Sequence, residues 1–316
     1  MKEIRFSNGQ SSWARLLSQR IVFRNDEDIP SYLTAFDALR ESAPVKNSNK
    51  LNPTSARCGL TKNCARRLNR AGIVEKPMQL RGKKIVIVGG SSGMGLAAAK
   101  TLAEAGGQVL IASRSSDKLE RAKAAIGMYV DTRTLDIRDD RQVSDFFRNM
   151  KGLDHLVISA ADAVLGPFLE VEIEAAQEFF ESKFWGAYRV ARYAAPGMQK
   201  DGSITFFSGA ASQRGTPGLS VGSAINAAIE ALGRTLAVEL APLRVNTIAP
   251  GLIDTPVWQA VGTEDQKQAL FTAQAAKLPL KRIGRAEDVG HAVRYLIENT
   301  YTTGSVLFVD GGYLQV

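Results

Sequence analysis

The chain has 316 residues, 45% hydrophobic and 23% charged, which excludes a wholly disordered or fibrous protein and leaves room for one large domain or two small ones. Its formal net charge is +8, but residues 1–77 carry 14 Lys and Arg against 7 Asp and Glu, so the rest of the chain is close to neutral at +1. The basic character therefore belongs to an N-terminal extension and gives little support for nucleic-acid binding.

No run of about 18 apolar residues is present, and the first ten residues lack the apolar stretch of a secretory signal, so a soluble, cytoplasmic protein with no membrane contact is expected. Cys58 and Cys64 have five residues between them and no histidine nearby, which suggests neither a disulfide framework nor a metal site.

Residues 1–45 offer two short helical stretches, around Trp13 to Phe23 and Tyr32 to Glu41. Residues 46–77 are polar and basic, with Pro53 and the cluster Arg66, Arg67 and Arg70, and read as linker or disorder. Acidic residues within the extension argue against a transit peptide. An irregular, partly disordered extension over 1–77 is expected, followed by a single domain over 78–316.

Ile85 to Val88 is a continuous apolar run, the pattern of a strand buried on both faces. A glycine-rich turn follows at once, and a helix is expected from Leu96 to Ala105. Within it, Gly93-Met94-Gly95-Leu96-Ala97-Ala98 fits the G-x-G-x-x-G/A fingerprint, in which absent Cβ atoms let backbone N–H groups approach a pyrophosphate. Strands are then expected at Gln108–Ser113, Tyr129–Ile137, His155–Ala161, Ser203–Ser208, Arg244–Ala249 and Ser305–Asp310. Helices are expected at Asp117–Ala125, Arg141–Met150, Glu174–Met198, Ser223–Ala241 and Glu287–Glu298. Seven strands alternating with six helices predict an α/β, doubly wound (Rossmann-type) parallel sheet with helices on both faces.

Four stretches in this order resemble the short-chain dehydrogenase/reductase family. They are Gly89-x-x-x-Gly93-x-Gly95, Leu135-Asp136-Ile137, Val245 to Gly251 with Thr255, and the ending Thr303 to Gly312. The resemblance covers about residues 80–316 and implies cofactor contacts from Gly89, Ser91, Ser92, Gly93, Met94 and Gly95 in the first loop. It further implies contacts from Asp136, Ile137, Ala160, Ala161, Pro250, Gly251, Ile253 and Thr255. The second strand ends in Ser113-Arg114, where an acidic residue would favour a free ribose hydroxyl and an arginine pairs with a 2′-phosphate. NADP is therefore expected over NAD.

The catalytic half of the resemblance departs from the family. The Tyr-x-x-x-Lys pair falls on Gly222 and Asn226, the serine position falls on Gly209 beside Ser208, and no tyrosine occurs between Tyr193 and Tyr295. The family's catalytic asparagine, in Asn-x-x-Gly, is replaced in Lys183-Phe184-Trp185-Gly186. Lysine and asparagine have thus exchanged places, which makes Lys183, Asn226 and Ser208 the candidate catalytic residues. Ser212 and Ser223 are further hydroxyls, while His155 and His291 are expected to be structural.

Two functional classes follow. One is an NADP(H)-dependent oxidoreductase acting on a small carbonyl or alcohol with a non-standard proton donor. The other is a catalytically inactive NADP(H)-binding regulatory or interaction protein. Aromatic residues Phe179, Phe180, Phe184, Trp185 and Tyr188 lie on a helix that related proteins use to dimerise, so a homodimer or homotetramer is expected. Residues 252–280 occupy the position of the family's substrate lid.

Overall fold

The computed structural model describes residues 80–127 and 130–316. The expectations for the extension over 1–77 and for a strand beginning at Tyr129 fall outside them. The main sheet has seven parallel strands: β1 (Lys84–Val88), β2 (Gln108–Ser113), β3 (Val130–Thr134), β4 (Leu153–Ile158), β5 (Met198–Phe207), β6 (Arg244–Pro250) and, last in the chain, β9 (Val306–Val309). Their order is β3-β2-β1-β4-β5-β6-β9. The direction of winding reverses between β1 and β4, and a crevice opens there beyond the carboxyl ends of the strands.

Helices α1 (Gly93–Glu104), α2 (Ser116–Ile126) and α8 (Ala286–Glu298) cover one face; α3 (Asp140–Arg148), α4 (Ile173–Phe180), α5 (Gly186–Ala194) and α6 (Ser220–Glu239) cover the other. Each face has its own apolar core. Ile85, Ile87, Ile111, Leu102 and Val293 pack on the first, and Val86, Leu156, Ile204, Phe206 and Ile225 on the second. The alternation of β1 between these two sets explains its uninterrupted apolar sequence. The α2 and α3 boundaries follow from side-chain caps: the Ser115 hydroxyl accepts from the Lys118 N–H, and the Asp139 carboxylate from the Gln142 N–H. Arg244, buried at the start of β6, donates to the carbonyls of Leu296 and Ile297 and so caps the last turn of α8.

Three expected boundaries need correction. The single helix over Glu174–Met198 is broken by a π-helical turn at Glu181–Trp185, and the helical run ends at a short 3₁₀ turn containing Pro196. Met198 already pairs with Leu153 as the first residue of β5. The third strand stops at Thr134, where its pairing with β2 ends; Leu135 and Ile137 continue as a buried turn that walls the crevice. The fourth strand ends at Ile158, so Ala160 and Ala161 lie in the following loop.

The lid region forms α7 (Glu264–Lys277), a preceding 3₁₀ turn, and a separate two-stranded sheet of β7 (Ile253–Asp254) with β8 (Gly284–Arg285). Trp258 donates its indole N–H to the Ile253 carbonyl and stacks edge-on against Phe271, while Leu278 is buried. The apolar residues of this segment hold the lid together and say little about a substrate. No helix among the described residues is long and apolar enough to cross a membrane.

Candidate active site

The crevice at the β1/β4 reversal is a cleft of about 1080 Å³. Its floor is built by close backbone approaches that only glycine permits. Gly89 has φ +91°, and a Cβ there would lie 2.4 Å from the Ala160 nitrogen. A Cβ on Gly95 would lie 2.3 Å from the Gly89 carbonyl oxygen and 2.4 Å from Ser159 Oγ. The loop after β4 is tied to the same floor, because the N–H groups of Ser159 and Ala160 both donate to the Val88 carbonyl. The first turn of α1 carries no acidic side chain, so its free N–H groups and positive dipole end face the cleft without a competing charge.

Of the residues expected to bind cofactor, Gly89, Ser91, Ser92, Gly93, Met94, Gly95, Ser113, Arg114, Asp136, Ile137, Ala160, Ala161 and Thr255 line this cleft. Pro250, Gly251 and Ile253 are not part of its lining. A Cβ on Gly251 would lie 2.7 Å from Asp310 Cα, so this glycine serves the packing of β6 against the C-terminal segment. Ile253 is buried in the core on the α1 face.

Arg114 is held across the cleft by Asp162 in a bidentate pair, with N···O distances of 2.5 and 3.2 Å. Both side chains are partly exposed, where ion pairs contribute about 1 kcal/mol or less. Asp136 is paired with Arg138, whose hydrogen bonds hold its carboxyl below the usual range.

Lys183, carried on the π-helical turn, lines the same cleft. The close fit of Gly186 against Ile137 fixes this turn, since a Cβ at 186 would lie 2.6 Å from Ile137 Cδ1. Lys183 Nζ donates to Asn226 Oδ1 at 2.6 Å and lies 5.8 Å from the centre of the Phe179 ring. It pairs with neither Glu178 nor Glu181; Glu181 is engaged by Arg189. Removal of its ammonium from water lowers the pKa to about 8. Asn226 is buried behind it and does not line the cleft.

Ser208 also lines the cleft. Its hydroxyl reaches Glu230 Oε1 at 3.0 Å, and Ser212 and Gln213 donate to the same carboxylate. Glu230 was not anticipated, because a glutamate within a helix ordinarily marks a solvated face. The available signal was its position four residues after Asn226 and eight after Gly222, which places all three on one side of α6. His155 is remote from these groups: it hydrogen-bonds Ser203 within the sheet, and burial pushes its pKa down to about 4.

A parallel sheet that reverses at a glycine-floored cleft, with a helix N-terminus and an arginine facing into it, defines a dinucleotide-binding α/β protein. The chain belongs to the short-chain dehydrogenase/reductase family. Residues 88–314 match the family described as "Enoyl-(Acyl carrier protein) reductase". It is 33% identical over 253 residues to "Short-chain dehydrogenase/reductase malC" of Malbranchea aurantiaca, covering 74% of this chain and 96% of that protein. It is 32% identical over 245 residues to the L-xylulose reductase of Bos taurus, covering 75% and 98%. Among solved structures it is similar to a small-chain dehydrogenase in complex with NADPH, at 35% identity and a TM-score of 0.63 over 74% of this chain and 99% of that one. It is also similar to the MalC Reductase/Diels-Alderase of Malbranchea aurantiaca, at 31% identity and a TM-score of 0.69 over 75% and 98%.

Proposed function

We propose that this protein is an NADP(H)-dependent oxidoreductase that interconverts a small carbonyl compound and its alcohol, with Lys183 in place of the family's tyrosine. The observation that carries this reading is the Lys183–Asn226 pair, whose side chains meet at 2.6 Å beside the cleft; the family resemblance implies that each stands where the other residue type is usual. The relatives named as reductases and the NADPH complex of a similar protein support it. The glycine floor leaves room for a pyrophosphate, and the first-turn N–H groups of α1 and Arg114 suit its charge and that of a 2′-phosphate. With about two negative charges, a phosphate competes well with Asp162 for the guanidinium. Bound NADP(H) supplies or accepts the hydride. In the reductive direction the Lys183 ammonium binds the substrate oxygen and gives it a proton, and Asn226 holds the amine in place.

The catalytic domain in this reading spans residues 78–316 and works as a homodimer or homotetramer. Of the aromatic stripe, Phe179 is buried and Phe180 and Phe184 pack against the core, while Trp185 and Tyr188 remain exposed and are available for an interface. The second reading, a dinucleotide-binding protein without turnover, is favoured by Gly222, which puts no polar group at the tyrosine position and stands 3.6 Å from Phe179 at its would-be Cβ.

A carbonyl panel followed by NADPH consumption separates the two, since only an oxidoreductase shows substrate-dependent oxidation. Its pH dependence has a definite sign. Lys183 must be protonated to donate, so kcat for reduction falls about tenfold per pH unit above a pKa near 8, and alcohol oxidation gains over the same range. A reductive rate flat from pH 7 to about 10 contradicts the assignment of Lys183 as proton donor.

A further inference from the structure

Glu230 is 1% exposed, and its hydrogen-bond partners are three neutral donors: Ser208 Oγ at 3.0 Å, Ser212 Oγ at 2.5 Å and Gln213 Nε2 at 2.9 Å. A carboxylate withdrawn from water is tolerated only when donors of this kind replace its hydration. Its effect on Ser208 follows from elementary valence. Ser208 Oγ has one proton and two acceptor neighbours, Glu230 Oε1 at 3.0 Å and the Ile248 carbonyl at 3.4 Å. Whichever it serves, the proton points into the protein, and only lone pairs remain for a molecule in the cleft.

Helix α6 thus holds two groups in two ways. Asn226 fixes the Lys183 ammonium, a donor; one turn further on, Glu230 fixes Ser208 as an acceptor. The two groups are neighbours: a Cβ on Gly209, next to Ser208, would lie 2.7 Å from Asn226 Nδ2, and Asn226 Oδ1 takes the Lys183 ammonium at 2.6 Å, so one small molecule can meet both. A plain ketone satisfies Lys183 and leaves Ser208 desolvated without a partner, whereas a neighbouring hydroxyl or N–H satisfies both.

We propose that Glu230 makes Ser208 a hydrogen-bond acceptor toward the cleft, so that the site selects carbonyl compounds bearing a hydroxyl or N–H donor on the carbon next to the carbonyl. The proposal rests on the oxidoreductase reading for its chemistry, but its selectivity can be read from binding alone. Glu230 and Ser208 act here as specificity-determining residues, and Lys183 keeps the proton transfer.

Hydroxyacetone and its methyl ether, methoxyacetone, are the probes: a methyl group replaces the donor proton, and Ser208→Ala, which removes the acceptor alone, controls for its bulk. Their Kd values for the protein–NADP⁺ complex are measured by ligand-observed NMR, and their kcat/KM values with NADPH. Hydroxyacetone is expected to be favoured by about 10- to 100-fold in either readout, the range for an unsatisfied buried acceptor. In Ser208→Ala the ratio falls to within about threefold, whatever the absolute rates. In Glu230→Gln, whose carboxamide can donate to Ser208, only the long contact to the Ile248 carbonyl at 3.4 Å still draws the hydroxyl proton inward, so methoxyacetone gains relative to hydroxyacetone. Equal affinities and equal kcat/KM in the wild type overturn the proposal, as does a preference that survives Ser208→Ala. If neither compound is reduced but hydroxyacetone binds preferentially, the selectivity stands and the reductase reading falls.

Discussion

Replacing Lys183 by Met is expected to lower kcat for carbonyl reduction by about 10²- to 10⁴-fold, the usual contribution of a positioned general acid. Methionine preserves much of the volume and the contact with Phe179 but provides no N–H for Asn226 Oδ1 or for a substrate oxygen. The phosphate contacts proposed for the α1 turn and Arg114 do not involve this residue, so NADPH affinity should change by less than about tenfold, and the loss should appear in kcat. Stability should move little, because a buried lysine whose pKa is already lowered to about 8 is itself costly to keep charged. A Lys183→Met enzyme with full turnover removes the proposed proton donor.

The second large effect is expected from Gly95→Ala. The added methyl would sit 2.3 Å from the Gly89 carbonyl and 2.4 Å from Ser159 Oγ, and neither neighbour can retreat. Gly89 is already wedged against the backbone of Ala160, and Ser159 is tied to the Val88 carbonyl. The start of α1 must therefore swing away from the loop. Overpacking of this kind costs about 1–3 kcal/mol, or roughly 2–4 °C of melting temperature per kcal/mol in a domain of this size. The greater consequence is for cofactor: displacing two N–H groups from a phosphate forfeits about 3–6 kcal/mol, more than 100-fold in Kd. Titration with NADPH alongside thermal melting checks both. Wild-type affinity in Gly95→Ala means that the glycine floor is not where the dinucleotide binds.

The fold was legible because its signals are local and repeated. β1 is apolar from Ile85 to Val88 because both of its faces are covered, and the alternation of strand-like and helical stretches repeats along the chain. The glycine floor of the cleft was legible for a similar reason, since Gly89, Gly93 and Gly95 stand directly between a strand and a helix, and Arg114 follows directly on β2. What was not legible depends on contacts between distant parts of the chain. The π-helical turn that presents Lys183 is set by the fit of Gly186 on Ile137, forty-nine residues earlier in the sequence, and the helical pattern runs through it unchanged. Glu230 reads as a surface charge until Ser208, Ser212 and Gln213 are brought to it by the packing of α6 on β5 and the turn that follows. Gly251 fits a cofactor motif in sequence but is spent on contact with Asp310.

Use of NADP(H) through Arg114 is tested by a fluorescence titration of the purified protein with NADPH and with NADH, in the wild type and in Arg114→Ala. NADPH is expected to bind about 10- to 100-fold more tightly than NADH, the worth of a bidentate arginine–phosphate contact, and Arg114→Ala is expected to bring the two together by weakening NADPH alone. Binding of NADH as tight as that of NADPH, or of neither, contradicts it.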